Sequence, residues 1–113
     1  GLIKGHIRKL NGGDEAGLKL PHIGWTEITP PSGKHWHASL LNGIQPGTPF
    51  YFVHSYASIP SDASDILAVS AYGNSTFCCA VEKGNIYGTQ FHPEKSQAAG
   101  LQLLRNAINS FEV

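Results

Sequence analysis

His92 and Glu94 stand two residues apart in "GTQFHPEKS" (88–96), with Pro93 between them. A proline disfavours helical torsions in the residue before it, so the spacing predicts an extended His92. In an extended chain, residues i and i+2 project to the same side. A carboxylate placed there accepts the Nδ1 proton of the imidazole. That fixes the tautomer and leaves Nε2 free to serve a nucleophile. The pair supplies two thirds of a triad, the base and its orienting group. The bland alternative is a strand end with a solvated Glu.

Other residue types compete for chemistry. "HWH" (35–37) also puts two imidazoles at i and i+2, but no third ligand follows at a recognisable spacing for a metal. His54, inside an aromatic run, reads as a hydrogen-bonded core histidine, and His6 and His22 carry no signal. Cys78 and Cys79 are adjacent. Neighbouring cysteines rarely pair, because the small ring strains the backbone, and two thiols make no disulfide scaffold. In a strand they point to opposite faces, one buried as a small apolar side chain and one on the other face.

The elements that must position His92 and Glu94 can be read from periodicity. Residues 2–10 alternate weakly, as a strand, and "NGGDEAG" (11–17) is a turn cluster. "HIGWTEI" (22–28) sets Ile23, Trp25 and Glu27 against His22, Gly24, Thr26 and Ile28, a strand that stops at "TPPSG". Residues 38–44 read as a short helix or an irregular turn. "FYFVHSY" (50–56) is the strongest strand signal, aromatic and β-branched, with Phe50, Phe52 and Tyr56 on one side and Tyr51 and Val53 on the other. A loop, "SIPSDAS", follows it. Strands are expected at 65–72, 76–83 and 85–92, separated by short hairpin signals. Leu101, Leu104, Ile108 and Phe111 then recur at helical spacing, one face of a helix from Ser96, its N-cap, to Phe111. Gly100 inside that helix costs about 1 kcal/mol against Ala.

Composition bounds the partners. The 113 residues carry 8 basic and 8 acidic side chains, a net charge of zero, and are 41% hydrophobic but only 14% charged. That argues for a packed core and against disorder. No basic stripe offers itself to nucleic acid or an anionic membrane. No apolar run approaches the roughly 20 residues of a membrane helix, and no signal-peptide pattern opens the chain. The default expectation is a soluble cytoplasmic protein.

The words "PHIGW" (21–25), "YFVHSY" (51–56), "NIYGTQFHPEKS" (85–96) and "GLQLLRN" (100–106) occur in that order. Together they resemble the class I (triad) glutamine amidotransferases, and most of all the glutaminase subunits of imidazole glycerol phosphate synthases, from histidine biosynthesis. Related subunits of surface-polysaccharide sugar pathways share the words. The resemblance implies that His92 is the catalytic base and Glu94 the third triad member. It implies that the backbone of Ser55 and Tyr56 holds glutamine, and that Trp25, Tyr51 and Lys95 face a (β/α)8-barrel synthase partner. It implies no metal and no organic cofactor. The fold it implies is α/β: residues 1–113 as the mixed, strand-rich C-terminal half of a three-layer domain, with a terminal helix.

The departure from the family pattern matters as much. The family's nucleophile is a Cys on a G-x-C-x-G elbow, N-terminal to the matching region, and no such motif occurs in these 113 residues. "TFCCAVEK" lacks the glycines of an elbow, so Cys78 and Cys79 are poor substitutes. The chain also contains no Met. The expectation is therefore a C-terminal portion, inactive alone and prone to self-association through uncovered apolar surface. The alternative is a non-catalytic binding module that keeps the fold.

Overall fold

The structure is a computed structural model that describes residues 3–10, 20–37, 39–73 and 75–110. Short strands dominate. β1 (Gly5–Lys9), β4 (Tyr56–Pro60), β6 (Ser75–Lys83) and β5 (Ile66–Tyr72) lie in that order in one sheet, and β7 (Ile86–Thr89) also pairs with β6. β2 (His22–Glu27) and β3 (Pro49–His54) form a separate two-stranded sheet. The named strand pairings are all antiparallel. A bridge from Thr29 to Val69, with hydrogen bonds of 3.0 and 2.8 Å, stitches the end of β2 to β5. A 3-10 turn (Pro93–Lys95) and the helix α1 (Gln97–Ser110) close the described chain. The class is mixed α/β, strand-rich, with a C-terminal helix.

The aromatic strand obeys its alternation only as far as His54. Phe50 and Phe52 are fully buried, while Val53 is exposed. At Ser55 the chain breaks out of β3: the Ser55 carbonyl accepts the Leu10 N–H at 2.9 Å, and His54 Nδ1 donates to the Tyr56 carbonyl at 2.9 Å. The expected "SIPSDAS" loop instead begins as strand, because Tyr56–Pro60 pairs with β1. Tyr56 consequently does not share the inner side with Phe50 and Phe52 and is exposed. Residues 39–44 form turns that bury Leu40, Leu41 and Ile44. Both cysteines sit in mid-β6, and both are buried, since this strand is covered on either face at that point. The turn expected over 11–17 lies outside the described residues.

The helix turns the other way from its apolar period. Leu101, Leu104 and Ile108 are exposed, and the core is met by Leu103, with Ala99 and Ala107 beside it. Two contacts set this rotation. Asn106 Nδ2 donates to the carbonyls of Leu40 and Asn42, both at 2.8 Å. Gly100 is buried against the Pro93–Lys95 turn, where an added Cβ would overlap the Pro93 carbonyl oxygen. Gly100 is thus a packing requirement rather than a defect. The expected end of the stripe, Phe111, lies outside the described residues.

Candidate functional site

His92 keeps the extended conformation that Pro93 demands, with φ −102° and ψ 98°. The chain then tightens into the 3-10 turn that carries Glu94. His92 Nδ1 and Glu94 Oε1 lie 3.2 Å apart. The two side chains are 39% and 57% exposed, so the pair is open to a reactant. Among the described residues His92 Nε2 has no hydrogen-bond partner in the structure, which leaves that nitrogen available for proton transfer.

The main chain of His92 is anchored to β3. Its N–H donates to the Tyr51 carbonyl at 2.9 Å. The side chain of Ser96, expected to cap α1, does something else. Its hydroxyl donates to the His92 carbonyl at 2.6 Å and accepts the Tyr51 N–H at 3.1 Å. The helix start is made differently: Gln97 takes a positive φ of 55°, and the Ser96 carbonyl accepts the Gly100 N–H at 3.2 Å. Sequence reasoning missed this use of Ser96, because a short hydroxyl ahead of a helix reads as a cap.

Tyr51, Trp25 and Lys95 come together beside this anchor. Trp25 and Tyr51 are cross-strand partners of β2 and β3, edge to face with ring centroids 5.8 Å apart. Lys95 Nζ lies 5.9 Å from the Tyr51 ring. Ile23 and Val53, the next pair along the same face, are 59% and 40% exposed and extend the apolar surface. Alternation in "HIGWTE" and "FYFVH" carried the signal for them. Ser55 and Tyr56 lie at the break between β3 and β4, and the carbonyls of both are engaged by Leu10 and His54.

The inner side of the same two strands holds a second imidazole site. His22 Nδ1 and His54 Nε2 are 2.9 Å apart, and His22 Nε2 is 2.7 Å from Thr26 Oγ1. The Tyr56 carbonyl can only accept, so His54 Nδ1 carries its proton and His54 Nε2 accepts in the neutral ring. His22 Nδ1 must then donate to His54, and the Thr26 hydroxyl donates to His22. Both rings are buried among Phe52, Tyr72 and Phe77. Burial first, and the neighbouring His54 second, lowers the His22 pKa to about 4. Burial also lowers that of His54, against the opposing effect of its bond to the Tyr56 carbonyl. The expectation for His54 as a bonded core histidine fits, and the role of His22 was missed.

The thiols are poor nucleophiles as they stand. Burial pushes the Cys78 thiol up, and burial with the adjacent Cys78 pushes Cys79 up further. Cys78 Sγ donates to the Ala80 carbonyl at 3.4 Å. His35 and His37 have ring centroids 4.9 Å apart but are exposed. Among the described residues no three His, Cys, Asp or Glu side chains gather as a metal site.

A strand-rich half-domain with a His-x-Glu pair at a strand end fits one class of protein, the triad amidotransferases. The family model "Glutamine amidotransferase class-I" matches residues 9–110, and the chain belongs to that family. It is 44% identical over 109 residues to "Imidazole glycerol phosphate synthase subunit HisH" of Pelagibacter ubique, covering 96% of this chain and 50% of that protein. It is 46% identical over 108 residues to the subunit of the same name from Yersinia pseudotuberculosis, with the same 96% and 50% coverage. The chain therefore spans about half the length of the curated relatives it matches. The fold is also that of a solved structure, a putative GMP synthase protein from Thermoplasma acidophilum. The match has a TM-score of 0.66 at 20% identity and covers 94% of this chain and 48% of that one.

Proposed function

We propose that this chain is the C-terminal portion of a HisH-type glutaminase, supplying the base and its orienting carboxylate to a nucleophile held elsewhere. One observation carries the reading: the 3.2 Å pairing of His92 with Glu94 at an open strand end. The identity to HisH subunits over nearly the whole chain supports it. In this reading a thiolate from a G-x-C-x-G elbow, outside these 113 residues, attacks the side-chain amide carbon of glutamine. His92, as imidazolium, gives its proton to the departing ammonia, leaving a thioester. The neutral ring then takes a proton from water as the oxygen attacks, and glutamate leaves with the thiolate restored. Glu94 orients the ring and stabilises its cation throughout.

The remaining roles follow from the same reading. The backbone at Ser55 and Tyr56 holds glutamine. The face made by Trp25, Tyr51 and Lys95, extended by Ile23 and Val53, docks on a (β/α)8-barrel synthase subunit that consumes the ammonia. The working compartment is the cytoplasm. The outward stripe Leu101, Leu104 and Ile108 is covered by the other half of the domain, and on the isolated chain it drives self-association.

The test is complementation. The chain alone should release no more ammonia from glutamine than a protein-free control. Mixing it with the N-terminal half of a relative that carries G-x-C-x-G should restore turnover. Turnover by the chain alone that vanishes in Cys78→Ser or Cys79→Ser would overturn the reading. A complex that forms, turns over and ignores His92→Ala would move the non-catalytic binding module to first place.

A further inference from the structure

We propose that Ser96 is a positioning residue for His92, and that it makes the main chain of Tyr51 the mount of the catalytic base. The proposal rests on the reading of His92 as that base. Three hydrogen bonds form a closed cycle. The Tyr51 N–H reaches Ser96 Oγ at 3.1 Å, Ser96 Oγ reaches the His92 carbonyl at 2.6 Å, and the His92 N–H reaches the Tyr51 carbonyl at 2.9 Å. Both polar main-chain groups of His92 are thereby tied to those of one residue on β3. The serine that closes the cycle is 2% exposed, so water cannot stand in for its hydroxyl. A serine hydroxyl has one proton, and here it is committed to His92.

The two anchors of His92 do different work. Glu94 sets the rotation of the ring through Nδ1. The Ser96 cycle sets where the side chain starts from. The second matters because a misplacement of about 1 Å in a reacting group costs on the order of 100-fold in rate. Gly100 supports the cycle from behind, since its bare Cα lets α1 press on the Pro93 carbonyl.

The cycle also has an outer handle. The Tyr51 side chain is the partner of Trp25 and lies under Lys95, on the half-open face of β3. Whatever docks on that face and shifts Tyr51 shifts the mount of His92 through two direct hydrogen bonds. Docking and turnover are then coupled without a longer pathway.

The experiment has one readout on the chain and one on the complemented enzyme. By NMR, the Tyr51 amide of the chain should exchange slowly with solvent. In Ser96→Ala it should exchange more than about tenfold faster, while the Val69 amide, bonded to the Thr29 carbonyl at 2.8 Å, serves as the unchanged control. In the complemented enzyme Ser96→Ala should lower kcat by about 10- to 100-fold with KM within about twofold. Ser96→Thr, which keeps the hydroxyl, should recover most of kcat. An unchanged Tyr51 exchange rate, or an unchanged kcat where His92→Ala abolishes turnover, would overturn the proposal. If His92→Ala leaves turnover intact, it is the base assignment that fails, and the exchange data alone judge the cycle. Should Ser96→Ala not fold, slow wild-type Tyr51 exchange with an active Ser96→Thr upholds the cycle, and fast wild-type exchange overturns it.

Discussion

Two histidine sites hang on opposite sides of β3 and its surroundings, and they are built for opposite ends. His22 and His54 sit 2.9 Å apart, buried among aromatic rings, with each proton assigned by a fixed acceptor at the Tyr56 carbonyl. His92 sits 3.2 Å from a carboxylate, with its other nitrogen open. The first site is held neutral by burial and joins β2 to β3 and to the break after it. The second is tethered at its main chain and free at its ring. A histidine in contact with a proton acceptor is therefore not enough to define a base. What distinguishes the two is access, and the charge of the partner.

The sharpest way to break this comparison is to exchange the two consequences. In the complemented enzyme His92→Ala should lower kcat by at least about 1,000-fold, while the thermal midpoint of the chain moves by no more than a degree or two. Glu94→Gln keeps the imidazole but loses its orienting charge, and should cost less, about 10- to 100-fold. Steady-state ammonia release measures both. A His92→Ala chain that loses stability rather than turnover would place His92 with His22 as a structural residue.

The buried pair should show the converse. A lowered folded-state pKa means the unfolded chain binds protons more readily between about pH 6.5 and about pH 4. The stability that neutral His22 contributes is present above the unfolded value and is lost as pH falls through that window. For His22 alone the loss from pH 7 to pH 4 is about 3 kcal/mol, and His54 shifts in the same direction. Urea midpoints across that range should fall steeply, and in His22→Gln the slope should flatten. A slope that survives this substitution would mean that other groups carry it.

Much of this was legible in the sequence, but for local reasons. Pro93 alone fixes the extended His92, and i, i+2 spacing brings Glu94 to it. Alternation placed Phe50 and Phe52 inside and Trp25 outside. What failed were features decided by distant contacts. The break at Ser55 depends on Leu10 bonding its carbonyl, which nothing in "FVHSYAS" announces. Ser96 reads as a cap because its true partners, Tyr51 and His92, are brought in by β3 and the turn. His22 gives no signal, since its partners Phe52, His54, Tyr72 and Phe77 come from three other strands.

The helix extends the contrast between covered and open surface, with a smaller effect. Periodicity chose Leu101, Leu104 and Ile108 as the inner face, yet Leu103 is 3% exposed and those three are 57%, 37% and 61% exposed. Leu103→Ala should cost about 2–4 kcal/mol, the usual range for emptying a buried leucine site. Leu104→Ala removes a side chain that water already reaches and should cost less than about 1 kcal/mol. Ile108→Lys should leave the thermal midpoint nearly unmoved while lowering the mass of the isolated chain seen by light scattering. The same Ile108→Lys substitution should weaken assembly with the N-terminal half, because a charge would enter the surface that the half covers. If Ile108→Lys assembles and turns over like the wild type, the outward stripe is not the seam between the halves. The contrast along α1 would then end at Leu103.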